Sequence, residues 1–189
     1  MLGGMAMALD THVGPWSEED LLALPDTVQR YELLEGTLLV NPPPTGSHQR
    51  VSVKLANLLE AAAIPGLTVV VAVGVRLPDN TVFIPDVLIA TRDAVLADHS
   101  GILDSAAVAM VVEIVSPGSR TTDRLTKPDV YARAGIPSFW RVELEGGPVI
   151  FAYRLDQGRY VEAGSAQPGE RLSVNEPFVV SVDPADLRP

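Results

Sequence analysis

VVEIVSPGSRTTDRLTK, residues 111–127, joins an apolar strand to a polar segment through a single carboxylate, Glu113. The run leading into it, Ala106-Ala107-Val108-Ala109-Met110-Val111-Val112, is uninterrupted by charge and reads as a strand buried on both faces. An ionised carboxylate is costly to bury unless something positive compensates it. Glu113 therefore predicts one of two things: a cation at the strand exit, or a position just outside the sheet.

The surrounding chain has material for one compact domain. It has 189 residues, 47% of them hydrophobic, which suits a folded core rather than a disordered chain. We expect an N-terminal tail over 1–16 and a single domain over 17–189. Cysteine is absent, which excludes disulfides and thiolate metal sites and fits a reducing compartment. The opening MLGGMAMALD lacks a basic n-region and does not read as a signal peptide. The longest uncharged apolar stretch, 61–75, is broken by Pro65-Gly66 and is too short to span a bilayer. The expectation is a cytoplasmic protein with no membrane role.

A formal charge of −10 argues against a broad basic face that binds nucleic acid non-specifically. Any nucleic-acid role must be local. Only Lys54 and Lys127 of the 14 basic residues are lysines, so a lysine at a special place carries information.

Upstream, Ser17 caps a short helix that starts with acids and ends before Pro25. Two short strands follow over 31–40, turning at Glu35-Gly36. The stiff Pro42-Pro43-Pro44 loop then delivers Ser47 as the N-cap of a helix over 48–63. Its Val51, Leu55, Leu58, Leu59 and Ala62 recur at helical spacing. Strands are expected over 67–77 and 81–90 around a turn at Pro78-Asp79-Asn80, then a loop with a short helix over 93–105. Downstream of Glu113 come a loop at Ser116-Pro117-Gly118-Ser119, a helix ending at Gly135, and a strand over 138–144. A hairpin over 148–163 turns at Asp156-Gln157-Gly158-Arg159, and a short strand lies near 178–182. This order gives an α/β fold, a mixed β-sheet flanked by helices with an N-terminal and a C-terminal hairpin.

Two acids stand where a strand interior should be apolar: Asp86 in VFIPDVLI and Glu113 in VVEIV. If their strands are neighbours, both carboxylates converge. A hard cation such as Mg²⁺ takes one or two carboxylates and keeps waters and phosphate oxygens as its other ligands, which is phosphodiester-hydrolysis chemistry. Pro85 supports this, because proline inside a strand implies an edge or bulge that re-aims a side chain. Each acid also has a structural reading: Asp86 starting a turn, Glu113 paired with an arginine.

The ordered set YELLEG at 31–36, the proline triplet leading to His48, IPDV at 84–87, VEIVSP at 112–117, Asp123 to Lys127, and YARAGIPSFW at 131–140 resembles the Uma-type putative restriction endonuclease family. That group, long catalogued as a domain of unknown function, is placed in the PD-(D/E)XK phosphodiesterase superfamily. The resemblance covers roughly 17–155 and implies a restriction-endonuclease-like core with Asp86 and Glu113 as its two acids and metal ligands. The superfamily's lysine, two residues after the second acid, is replaced here by Val115. The resemblance implies that the next helix supplies it, as Lys127, which shares a helix face with Asp123. Its role would be to orient or help deprotonate the attacking water and to offset developing charge.

Pro128 departs from the pattern: it disfavours the α conformation at Lys127 and predicts a helix start near Thr126. Glu35 holds the family's acidic position and is an additional candidate, as a metal ligand or as a simple hairpin acid. His48 could contact phosphate or pack as a capping residue. Arg120 and Arg124 flank the site as possible phosphate clamps. Phe139 and Trp140 read as core. The implied function is Mg²⁺- or Mn²⁺-dependent endonucleolytic hydrolysis of DNA by a homodimer. A catalytically silent dimeric interaction module and a phosphodiesterase of small nucleotides stay open beside it.

Overall fold

The structure is a computed structural model and describes residues 12–25 and 29–188. Of the tail expected over 1–16, residues 1–11 lie outside the described residues. Trp16 is docked, its N–H donating to Gly36 O at 2.8 Å. Helix α1 (Glu18–Leu22) starts in a capping box. The Ser17 hydroxyl accepts from the Asp20 N–H while the Asp20 carboxylate accepts from the Ser17 N–H. Strands β1 (Arg30–Leu34) and β2 (Thr37–Asn41) form the first hairpin, with Glu35 and Gly36 both at positive φ. Helix α2 (Gly46–Ala62) is capped by Thr45, whose hydroxyl accepts from the His48 N–H, and not by the expected Ser47. Its Val51, Leu55 and Leu59 are buried.

The two long strands expected over 67–77 and 81–90 are each broken in the middle. The first divides into β3 (Leu67–Val71) and β4 (Gly74–Leu77), the second into β5 (Thr81–Phe83) and β6 (Val87–Thr91). β3 and β6 belong to a six-stranded sheet, β4 and β5 to a five-stranded one. Ala72, at φ 53°, breaks the first strand, and its N–H donates to Asp86 O at 3.3 Å. Pro85 breaks the second, since it has no N–H to continue a ladder. Both chains thus change sheet side by side, and Asp86 sits at that corner.

The remaining elements are α3 (Arg92–Ala97), β7 (Ile102–Asp104), β8 (Val108–Val115), a π-helical turn (Thr122–Thr126), α4 (Lys127–Arg133), β9 (Ser138–Glu143), β10 (Val149–Asp156), β11 (Arg159–Ala166), β12 (Leu172–Val174) and β13 (Val180–Val182). β7 falls where a loop was expected and pairs in parallel with β4. The six-stranded order is β11-β10-β9-β8-β6-β3, with β8 and β9 parallel across the helical crossover between them. The five-stranded order is β2-β1-β5-β4-β7, and β12 pairs with β13 alone.

The six-stranded sheet is covered on both faces, which explains the uninterrupted apolar run of β8. On one face Val87, Met110, Val112 and Trp140 pack against Val51, Leu55 and Leu59 of α2. On the other, Leu88, Val111 and Phe139 pack against Val75, Phe83 and Tyr131. Strand alternation puts Glu113 on the Val111 side, facing α4. Among the described residues no helix is long and apolar enough to cross a membrane.

Candidate active site

A cleft of about 870 Å³ opens between the first hairpin, the α2 start, the β5–β6 corner and the β8 exit. Arg30, Glu32, Asp86, Glu113, Asp123 and Lys127 line it. β6 and β8 are antiparallel neighbours with Val87 opposite Val112, which places Asp86 beside Glu113 in the chain register, and both line the cleft. The Asp86 N–H donates to Val112 O at 3.1 Å, and Asp86 Oδ2 accepts from the Ile114 N–H at 2.8 Å.

Glu113 is buried, with 2% of its surface exposed, and its compensating cation is Lys127. Nζ of Lys127 lies 3.1 Å from Glu113 Oε1, 3.0 Å from Glu32 Oε1 and 3.7 Å from Asp123 Oδ1. The Tyr131 hydroxyl donates to Glu113 Oε1 at 2.6 Å. Burial works against the Lys127 charge, but Glu113, Glu32 and Asp123 outweigh it and hold the ammonium protonated well beyond its ordinary range. Three acids around one ammonium leave surplus negative charge. Burial pushes the Glu113 carboxyl well up, Lys127 pulls it back, and Asp123, Asp86 and Glu32 add to the rise. Asp123 is raised for the same first reason, its burial.

Asp86 has the opposite balance. Burial would raise its carboxyl, but His48, the Ile114 N–H and Arg30 outweigh that and leave it below the ordinary carboxylate range. Arg30 NH1 lies 2.9 Å from Oδ1, and His48 Nε2 lies 3.2 Å from Oδ2 and 2.9 Å from Ile114 O. The two acids therefore sit side by side with their proton affinities driven apart, a common arrangement in acid–base sites.

The regular helix α4 starts at Lys127, next to Thr126 as Pro128 predicts, but it continues helical backbone that precedes it, and that continuation carries Lys127 to the cluster. Helical backbone runs over 120–133, and Lys127 has α geometry at φ −61°, ψ −46°. The wide turn over Thr122–Thr126, closed by the Lys127 N–H on Thr122 O, makes room for the proline ring within the helix. His48 and Asp123 are buried in the cleft wall. Arg124 is turned to the rim, where NE and NH2 grip Glu143 at 2.9 Å, and Arg120 NH2 holds Glu145 at 2.7 Å. Glu35 stands in the hairpin turn, 61% exposed, with its carboxylate 3.8 Å from Arg133 and outside this cleft.

The hairpin acid inside the cleft is Glu32. Its Oε1 accepts from the Ile84 N–H at 2.7 Å as well as from Lys127, and its Oε2 accepts from Asn41 Nδ2 at 2.7 Å. A charge within the apolar alternation Tyr31-Glu32-Leu33 is the signal that singled out Asp86 and Glu113, and it also points to Glu32. Arg30 and Tyr131 carried no comparable signal.

Among the described residues no three His, Cys, Asp or Glu side chains form a ready-made cation cage. The donor set nevertheless fits a magnesium-like ion. Two hard carboxylates face one cleft, such an ion needs no more than that from protein, and the surplus negative charge around Glu113 is what a divalent cation offsets. Asp86 and Glu113 would hold it.

Residues 18–185 match the Uma2 family, described as "Putative restriction endonuclease". The chain belongs to this family. Among solved structures it is similar to the crystal structure of a putative nuclease belonging to DUF820 from Anabaena variabilis. The TM-score is 0.74 at 18% identity, over 92% of this chain and 97% of that one. At that identity the likeness speaks to architecture, and it gives the Uma2 chain its restriction-endonuclease-like core. No curated protein matches the sequence.

Proposed function

We propose that this Uma2-family protein is a Mg²⁺- or Mn²⁺-dependent endonuclease that hydrolyses phosphodiester bonds in DNA, with Asp86 and Glu113 as metal ligands and Lys127 as its cationic partner. The observation that supports this most is that these three buried side chains, from the β5–β6 corner, β8 and α4, line one cleft. The bound ion would supply Lewis acidity and a lowered water pKa.

The chain's own residues account for the rest. Asp86, kept ionised by His48, Arg30 and the Ile114 N–H, is a ready anionic ligand. Lys127 stays protonated, so it orients the attacking water and offsets charge growing on the phosphate oxygens rather than removing a proton. Glu32 and Asp123 join Glu113 in holding the ammonium. Action on both strands of a duplex suggests a cytoplasmic homodimer with two clefts, which sedimentation equilibrium would reveal.

A second reading, hydrolysis of a small nucleotide phosphodiester, is favoured by one feature of the rim: Arg120 and Arg124 are already bound to Glu145 and Glu143. The deciding assay offers DNA, RNA and a small phosphodiester to the purified protein with Mg²⁺ or Mn²⁺ over a range of salt. Cleavage of DNA that disappears in Asp86→Ala, Glu113→Ala and Lys127→Ala is expected. Turnover of the small ester alone would move the assignment to the second reading. No turnover of any substrate, with no Mn²⁺ heat in calorimetry, would leave a silent module of the same fold.

A further inference from the structure

The cations of the cleft are not equally free to meet a substrate. Lys127 is buried and shared among three carboxylates. His48 is wedged between Asp86 and Ile114 O, and the rim arginines are committed to glutamates. Arg30 differs. Its side chain is 23% exposed at the cleft wall, with NH1 2.9 Å from Asp86 Oδ1 and NH2 3.4 Å from Ile84 O. A guanidinium carries five N–H donors in a planar fork, and these two contacts engage two of them.

Asp86 does not depend on Arg30 for its position. Its other oxygen, Oδ2, is held by the Ile114 N–H at 2.8 Å and by His48 at 3.2 Å, and its own N–H is held by Val112 O. Arg30 thus sits on the one Asp86 oxygen that a metal ion would also claim. A divalent ion held by Asp86 would compete with the guanidinium for this carboxylate and repel it. The other acids near Arg30, Glu32 and Glu113, are already engaged by Lys127, so a phosphodiester drawn to that ion would offer the fork two free oxygens in a bidentate match.

We propose that Arg30, resting on Asp86 Oδ1 at the cleft wall, is the phosphate-binding residue of this site. It exchanges the carboxylate for the scissile phosphate when the metal ion takes Asp86. This rests on the metal-dependent phosphodiesterase reading above. It adds a residue whose two partners, acid and substrate, are mutually exclusive.

The test measures metal and substrate separately on wild type, Arg30→Gln and Arg30→Lys, with thermal melts to verify folding. Calorimetry with Mn²⁺ alone should show Arg30→Gln binding the ion as tightly as wild type or several-fold more tightly, because a competitor for Asp86 is gone. The KM for an oligonucleotide should rise about tenfold or more with kcat less affected, as expected for loss of a charge-assisted phosphate contact. The slope of log affinity against log salt should become shallower by about one. Arg30→Lys should keep the salt slope and recover only part of the KM, since an ammonium cannot make the forked contact. A tenfold loss of Mn²⁺ affinity in Arg30→Gln would overturn the proposal by making Arg30 a support for Asp86. An unchanged KM and salt slope would overturn it equally. If wild type itself binds no Mn²⁺, the metal-dependent reading fails first and this proposal with it.

Discussion

Glu113 shows how one residue sets the chemistry of its surroundings. Its folded carboxyl is raised above the ordinary value of 4.5 by burial and by three neighbouring acids. Between those two pKa values the native state binds more protons than the unfolded chain. The contribution of Glu113 to stability is therefore fully present below the ordinary value and is lost as pH rises through the folded one. Glu113→Gln keeps the shape and an acceptor for the Tyr131 hydroxyl but removes the charge. Urea unfolding at neutral pH should find this variant more stable than wild type, with the advantage shrinking as pH falls below the carboxylate range, while Mn²⁺ binding disappears. A Glu113→Gln protein less stable at pH 7 would mean that the carboxylate is already fully compensated by Lys127. The two hairpin acids make a paired comparison. Glu32→Ala takes one of three acids from Lys127 and leaves the Ile84 N–H and Asn41 Nδ2 without this acceptor, and should cost about 1–3 kcal/mol, the range for a buried donor left unsatisfied. Glu35→Ala, at an exposed turn, should stay within about 0.5 kcal/mol and leave Mn²⁺ binding intact. Denaturant midpoints and calorimetry on the two variants check both.

At the scale of elements, the helical crossover after β8 decides whether the cleft has a cation. The π-helical turn Thr122–Thr126 admits Pro128 and rotates Lys127 inward, toward Glu113. Deleting solvent-facing Leu125, 69% exposed, would restore regular α spacing. The ring of Pro128 would then press on the preceding turn, costing about 3 kcal/mol. Lys127 or Asp123 would swing by roughly a quarter turn about the helix axis, from a pitch of about 3.6 residues per turn. Thermal melts should show the destabilisation, and cleavage should fall by about 10² or more, the scale of losing one preorganised donor to developing charge. Mn²⁺ should still bind at Asp86 and Glu113. Retained full activity would show that Lys127 is not the cation the chemistry uses.

For the whole molecule, the formal charge of −10 limits how substrate is held. Few cations reach the cleft without a carboxylate partner, so few phosphate counterions are released on binding. The slope of log affinity against log salt should be about −1 to −2, where each duplex phosphate neutralised contributes about −0.9. Fluorescence anisotropy over a salt series measures it. A slope steeper than about −5 would require a basic surface that these arginine–glutamate pairs do not provide.

What the amino-acid sequence determined by itself were the features with a local signature. The periods of 2 and 3.6 residues marked most strands and both main helices, and acids within apolar runs marked Asp86 and Glu113. Such signals are written within a few neighbouring residues. The tertiary structure alone decided the rest. It split two expected strands between two sheets at Ala72 and Pro85, and added β7 where a loop was expected. It brought Glu32 rather than Glu35 into the cleft, set Arg30 on Asp86, and carried Lys127 past its proline to an acid 95 positions away. Those outcomes depend on which distant surfaces pack together and on how a buried charge finds its counter-charge. No window of sequence contains that information.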